Sequence, residues 1–598
     1  MNFYVVFFAY LFALVVNVCS YIIPRETLVS DGCARIHNEF IAKQKTSFCY
    51  ADVKDCYEGF PFNKDTIDTL TGLVGGFYSF LDKAKEPPQT GFDSKPMDLV
   101  AELELHAHTI FSSNCFTTFI FYTNVTFYSV VDNGEQKIKI FNDTIDRSNI
   151  DCEVTHIDGQ PALQVISEYA KNLVYASRDL GVRFNIALDL TYLSASFAVR
   201  FEIPQKPYIT YTLKCDNTNE FDIKRDWNAF SNRAFLNKFN DSKSYFDNIC
   251  NSIEGSKPSI SLSSKLREIT NEFDKTDGIL ASDLSVTKIR TVDKFVGFFK
   301  VQDFGVVKIF TEAPLTISVA IITDVIHGFN DLANTGVKKI VLDLSDNVGG
   351  YLVVSVFFNL LLFPSTYPTF DFDLRITEQL RLAITEQYKL GIKNNIFDMK
   401  EYINEKSHAN FTSVEDIFGN NVYTRGGVKG NYSNRYILSD SELNVISQFI
   451  QNLTTPLPWK PEDYIILTNG LCGSACANIA EHAAEFNNVT TVAVGGIVSN
   501  SLLSYSSFPG GFVYNSTQIF DSLSQLGLLN NTIMPKPFPL AGMEVTLPMN
   551  EIYSKTNPDE ILEFGFRPAD FRLFYDEKNI RNISILWSQA AALIGSIK

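Results

Sequence analysis

The spacing of apolar and polar positions switches between helical and strand-like periods, and the switches divide the chain. From Thr66 to Lys83 apolar residues recur at Ile67, Leu70, Leu73, Val74, Phe77, Phe80 and Leu81. That spacing predicts an amphipathic helix, ended by Pro87-Pro88. A second, short helix is expected from Asp98 to near His106. Between Phe116 and Cys215 the period shortens to two. Strands are expected at 119–122 and 137–141 with Asn133-Gly134 as a turn between them, then at 154–162 leading into a helix over 163–177, and again at 208–213. Residues 216–284 are polar and read as a linker or loosely packed insertion. From Phe295 the pattern becomes α/β. Strands are expected at 295–301 and 306–310, a helix at 317–333, a buried strand at 339–344 and another at 465–468, preceded by Asp463-Tyr464. Alternating strands and helices imply a mostly parallel sheet. Residues 366–440 interrupt it with what reads as polar helices and loops.

Two glycine-bearing turns follow buried strands. One is Asp346-Asn347-Val348-Gly349-Gly350. The other is Asn469-Gly470-Leu471-Cys472-Gly473-Ser474, after which Ala475 to Phe486 reads as a helix, small and apolar on one side. In open α/β sheets, sites lie at the carboxyl ends of strands. A serine on such a turn has an exposed hydroxyl beside the unpaired N–H groups of a first helical turn. That is what a nucleophile with an oxyanion hole requires. The alternative is a plain helix N-cap, which serine also favours. The turn Cys472-Gly473-Ser474-Ala475-Cys476 lacks the two flanking glycines of the G-x-S-x-G elbow, which disfavours an α/β-hydrolase esterase.

The remaining features bound the setting. Val5 to Val16 is apolar and too short to span a bilayer, and Val18-Cys19-Ser20 offers small residues for cleavage. This reads as a secretory leader. Asn124, Asn142, Asn240, Asn410, Asn431, Asn452, Asn488, Asn515, Asn530 and Asn582 each begin an Asn-X-Ser/Thr sequon, as a glycosylated secreted protein would carry. Removing the leader leaves nine cysteines, an odd number, which predicts disulfides plus at least one thiol that is free or paired between chains. None shows the paired spacing of a zinc site. A formal charge of −17 argues against nucleic acid as a partner.

Taken together, "LDLSDNVGG", "ILTNGLCGSACA" and "LEFGFRPADFRLFY" resemble the tail-specific (C-terminal-processing) serine peptidase superfamily. The branch in question surrounds the chlamydial protease-like activity factor and its secreted fungal relatives, and "DCYEGFPFN", "HIDGQPA" and "SSFPGG" also look like it. The resemblance implies an α/β fold with a crotonase-like catalytic core, an N-terminal helical region and a small β-rich PDZ-like domain. It implies a leader over residues 1–20, the helical region over 21–115, the PDZ-like domain over 116–215, a linker or insertion over 216–284 and a peptidase domain over 285–598.

It also implies a secreted, extracellular serine endopeptidase acting on proteins or peptides, with no metal or organic cofactor, no stable membrane anchor, and a homodimer as an open arrangement. Ser474 would be the nucleophile. A lysine partner is not supported, because no lysine lies between Ser474 and Lys536. A histidine base and a carboxylate are available instead. His108 is the candidate base, with His106, which stands where the branch carries an acid, as the other reading. His482 is eight residues along the helix from Ser474, about 12 Å away and out of reach; a surface role is expected for His482, His327 and His408. Glu563 is the candidate acid, with Glu551 and Asp570 as alternatives. Ala475 and either Gly349 or Gly350 would supply oxyanion N–H groups. Val348 replaces a glycine common in the family, so a catalytically silent binding protein is the alternative function.

Overall fold

The computed structural model describes residues 31–59, 65–78, 111–252 and 285–595, apart from 175, 190–195, 217, 317, 401, 426, 454–455, 499–501, 508–511 and 541. The expected helix from Asp98 and both candidate base histidines, His106 and His108, lie outside the described residues.

A seven-stranded mixed sheet organises the second half. Its strands are β1 (Val286–Val292), β2 (Val296–Val301), β3 (Phe304–Ile309), β4 (Ile340–Asp343), β5 (Tyr464–Thr468), β6 (Thr490–Val494) and β7 (Phe571–Leu573), side by side in chain order. The first two pairings are antiparallel and the four from β3 to β7 are parallel. Ile340 lies opposite Tyr464 and Asp343 opposite Leu467, so β4 and β5 end level with each other. Every residue of β4 and β5 is buried, as expected of strands covered on both faces.

The two-residue period still sorts the side chains. Ile340, Leu342 and Ile466 join the core that contains Val325 and Phe329 of helix α1 (Val319–Asn334) and Phe357 and Phe358 of helix α2 (Leu352–Leu362). Val341, Ile465 and Leu467 join Leu586 and Trp587 of the C-terminal helix Ile583–Ala591 on the opposite face. Trp587 also donates to Asp343 Oδ2 at 2.9 Å.

The strand–helix module differs from expectation at its first strand: Ile120–Tyr122 pairs with Asn228–Phe230 and Val199–Arg200 in another sheet, and an unpredicted strand takes its place in the hairpin. Val125–Asp132 and Glu135–Asp143 form a hairpin whose turn residues Asn133 and Gly134 both have positive φ (50° and 86°), as a two-residue primed turn needs. Helix Ala162–Leu173 and strand Tyr208–Lys214 fall where predicted. Helix Leu180–Leu188 carries the module onto the carboxyl ends of β5 and β6. There Asn185 donates to the carbonyls of Asn469 (2.7 Å) and Val494 (3.0 Å) and accepts from the Gly496 N–H (2.7 Å).

Three further expectations change. The part of the supposed linker that is described is built into the fold. Phe221–Asp226 pairs with Tyr208–Lys214, and Asn228–Phe230 lies between Ser47–Cys49 and Ile120–Tyr122. Phe221–Asp226 is a largely exposed edge strand and Asn228–Phe230 is only three residues long, so composition alone reads both as loop. The 366–440 stretch contributes strands Asp371–Asp373, Tyr402–Asn404, Ala409–Asn410 and Tyr436–Leu438 to a five-stranded sheet completed by Glu551–Tyr553. Those strands are too short to show a period. His482 is fully buried, not on the surface: its Nε2 lies 2.9 Å from the Tyr367 carbonyl and its ring stacks on Phe486. His327 and His408 are exposed, as expected.

No described cysteine is free. Bridges join Cys33–Cys56, Cys115–Cys250, Cys152–Cys215 and Cys472–Cys476, and Cys49 is also disulfide-bonded. The four bridges pair eight of the nine cysteines expected after leader removal, and the partner of the ninth, Cys49, is not among the described residues, so the odd count is not overturned. Among the described residues no helix is long and apolar enough to cross a membrane, and no cluster of ligating side chains could hold a metal ion.

Candidate active site

The turns after β4 and β5 lock together. Leu344 N–H bonds the Leu467 carbonyl (2.8 Å), Asn347 N–H the Leu471 carbonyl (3.0 Å), and Gly473 N–H the Asn347 carbonyl (3.0 Å). Asn469 adds side-chain contacts: its Oδ1 accepts from Asp346 N–H and Leu471 N–H, both at 3.1 Å, and its amide donates to Asp346. Gly470 turns the chain at φ 86°, and a Cβ there would sit 2.3 Å from Val182, so both conformation and space call for glycine.

Ser474 follows in a conformation rare for any residue with a Cβ, φ 53° and ψ −123°. Such geometry persists only where the surroundings enforce it, and it concentrates at functional positions. Its enforcers are named: the Gly473 N–H bond, the Cys472–Cys476 bridge that spans the turn, and helix α3 (Ala475–Asn487), whose Asn478 N–H takes the Ser474 carbonyl at 3.0 Å. Ser474 stands at the N-cap position of α3, but its side chain makes no capping bond. The residue is half-buried and its hydroxyl has no partner among the described residues.

Gly349 faces it directly. At φ 98°, a Cβ on Gly349 would stand 2.6 Å from Ser474 Cβ and 2.9 Å from Ala475 N. Only glycine admits this approach. The Gly349 N–H is spent on Asn347 Oδ1 (2.9 Å). The N–H groups of Ala475 and Gly350 form no hydrogen bond among the described residues. Gly350 is pressed against the main chain of Glu312, where a Cβ would come within 2.2 Å. Val348, the family departure, is exposed at the rim.

The three candidate acids divide sharply. Glu551 is fully buried and paired with Arg425, and it accepts from Tyr553 Oη at 3.0 Å. Asp570 accepts from Thr491 N–H (2.8 Å) and Thr491 Oγ1 (3.0 Å), tying β6 to the approach of β7. Glu563, on the short 3₁₀ turn Leu562–Phe564, is buried and neither carboxyl oxygen meets a donor at bonding geometry among the described residues. Burial holds its pKa well above the usual carboxylate range, opposed by the N–H groups of Glu563 and Ile552, while Asp373 and Glu481 add to the rise. The structure thus brings Ser474, Ala475, Gly349 and Gly350 together, and leaves Glu563 as the uncommitted carboxyl of its three candidates.

Sequence reasoning missed one element of this region. Glu481, two turns along α3 from Ser474, is fully buried; it accepts from Tyr505 Oη (2.7 Å) and Ser506 Oγ (2.6 Å), and Arg567 approaches it at 3.8 Å. Ser507 N–H bonds the Cys472 carbonyl at 3.0 Å. Glu481 therefore anchors the 504–507 segment alongside the serine turn. An acid among the alanines of α3 was the available signal.

No protein-family model matches the sequence, and no curated protein is similar to it in sequence. Solved structures do align with it over most of its length. Mature CPAF complexed with lactacystin is 12% identical with a TM-score of 0.49, covering 90% of this chain and 98% of that one. An S41 protease from Bacteroides fragilis is 12% identical with a TM-score of 0.34, covering 90% and 98%. The photosystem II D1 C-terminal processing protease is 10% identical with a TM-score of 0.27, covering 90% and 98%. The latter two are named as proteases.

Proposed function

We propose that this chain is a secreted serine endopeptidase in which Ser474 is the nucleophile, His108 the base and Glu563 the acid. The observation that carries the reading is the Ser474 backbone at φ 53° and ψ −123°, on a turn that Gly349 approaches closely and where the Ser474 hydroxyl and the N–H groups of Ala475 and Gly350 form no hydrogen bond among the described residues. Ser474 Oγ bonds to the scissile carbonyl carbon as its proton passes to the imidazole. The two N–H groups take up the oxyanion charge. Collapse breaks the C–N bond, the imidazole returns the proton to the leaving amine, and water releases the acyl group by the same route. Glu563 suits the acid role because it is the buried carboxyl without a structural partner, and an imidazole donor is what such a group lacks.

The leader, the sequons and the disulfide bridges support an extracellular setting. The parallel core from β3 to β7 supports the crotonase-like assignment. The hairpin, helix and strands between residues 120 and 226 support a PDZ-like module, extended beyond the expected boundary at 215. Proteins or peptides are the substrates, and the chemistry uses no cofactor. Labelling by a fluorophosphonate probe tests the reading. Ser474→Ala should fold and lose the label, with turnover falling on the order of 10⁵–10⁶-fold. Wild-type labelling in that variant would remove Ser474 from the site. A wild type that never labels favours the silent binding protein.

A further inference from the structure

Beneath the serine site lies a buried carboxyl with no part in the proposed chemistry. Glu312 follows β3 and is fully buried. Its main chain brackets the glycine pair: Glu312 N–H bonds the Gly349 carbonyl at 3.1 Å, and the Glu312 carbonyl accepts from Tyr351 N–H at 3.0 Å. Its side chain reaches the same turn. Oε1 accepts from Asn347 Nδ2 at 2.9 Å, and the Ile309 carbonyl takes the other proton of that amide at 3.1 Å. Asn347 Oδ1 then faces Gly349 N–H at 2.9 Å. The two acceptors fix which way the amide points, since a flipped amide would set donor against donor at Gly349 and acceptor against acceptor at Ile309 and Glu312. With the Gly349 N–H drawn inward, the Gly350 N–H stays unspent.

We infer that Glu312 is a positioning residue, acting through Asn347 to hold the Gly349-Gly350 turn in the orientation that leaves an N–H for the oxyanion beside Ser474. The inference rests on the peptidase reading and adds to it the group that shapes the hole. Glu312 works as a neutral acid. Its Oε2 is buried with no donor among the described residues, and burial raises its pKa to about 8, opposed only by the Asn347 amide and its own N–H. Charged groups on the elements packed around it are engaged elsewhere. Lys308 bonds Asp343 and the Ser345 carbonyl, Asp346 binds Asn469, helix α2 has no charged residue, and Glu481 on α3 is held by Tyr505 and Ser506.

The test compares Glu312→Gln, which keeps a neutral acceptor of the same shape, with Glu312→Leu, which keeps volume and removes the acceptor. The readout is the rate of fluorophosphonate labelling of the full chain, with thermal midpoints measured in parallel. At pH 7 the Gln variant should label within about threefold of wild type, and the Leu variant about 10–100-fold more slowly, a fraction of the loss from deleting a donor outright. Wild-type labelling should fall as pH rises through about 8, where Glu312 ionises, while the Gln variant should not follow it. Equal rates for the Leu and Gln variants at matched thermal midpoints would overturn the inference, as would an alkaline fall that persists unchanged in Glu312→Gln. A wild type that never labels would overturn the peptidase reading first and this inference with it; labelling in wild type with no Gln–Leu difference would overturn this inference alone.

Discussion

The serine turn and the carboxyl corner around Glu563 are built in opposite ways. The turn is built mostly from main chain close in sequence: two parallel strands ending level, three interlocking N–H···O=C bonds and glycines where a Cβ would collide, with the Asn347 and Asn469 side chains and the Cys472–Cys476 bridge fixing it. The corner is assembled from side chains distant in sequence. Arg425, Tyr553 and Asp373 surround Glu551, while Arg567 serves Glu481, Glu485 and Glu560. Glu551 and Asp373 each leave one carboxyl oxygen without a donor, whereas Glu563 leaves both. The difference teaches where function can be read in each. In the turn a strained serine stands out by its backbone. In the corner a carboxyl stands out by what it lacks, since buried polar groups are ordinarily hydrogen-bonded.

The comparison breaks most visibly at Glu563. Glu563→Gln should lower kcat about 10²–10⁴-fold with KM little changed, as expected when a base loses the carboxyl that holds its tautomer and takes up its developing charge. Equal loss in Glu551→Gln would erase the distinction between the two acids. Stability should respond in the opposite order. Glu551→Ala leaves Arg425 buried and unpaired and should cost roughly 3–5 kcal/mol, read by denaturant unfolding. Glu563→Gln leaves no cation behind and should cost far less.

A pH titration sharpens the picture on helix α3. Burial lowers the pKa of His482 to about 4, so the fold favours its neutral form. The unfolded chain binds the proton first. Stability should therefore be fully present above about pH 6.5 and be lost as pH falls toward 4, by up to about 3 kcal/mol. His482→Phe should flatten that acid limb; an unchanged limb would mean that water reaches the imidazole. The smallest effect expected is at Gly470→Ala, which forces a Cβ onto Val182 at positive φ and should cost roughly 1–3 kcal/mol in thermal unfolding. A loss of labelling larger than this stability change explains would show that the serine turn has moved.

Much of the turn was legible in advance. The runs at 339–344 and 465–468 read as buried strands because both faces are apolar, and the structure sets them at Ile340–Asp343 and Tyr464–Thr468; Asn-Gly and Gly-Gly mark where such strands must stop. Ser474, Ala475 and the glycine pair followed from that grammar. The carboxyl corner was not legible, since a glutamate reads the same on the surface and in a core. Glu312 and Glu481 stand in apolar surroundings, yet only their partners distinguish an anchor from an accident. His482 was misjudged for the same reason: eight residues from Ser474 fixes a distance along a helix, not which neighbours cover it.

The sequence alone determined the parallel strands, the two turns at their ends and the serine between Gly473 and Ala475, because periodicity and glycine act locally. Tertiary structure decided which N–H groups stay unspent, which of Glu551, Glu563 and Asp570 lacks a partner, and that the polar run after residue 216 completes two sheets. Those outcomes depend on which distant groups share a buried space. There, the loss of water makes each missing or present partner count, and no local pattern in the chain records the meeting.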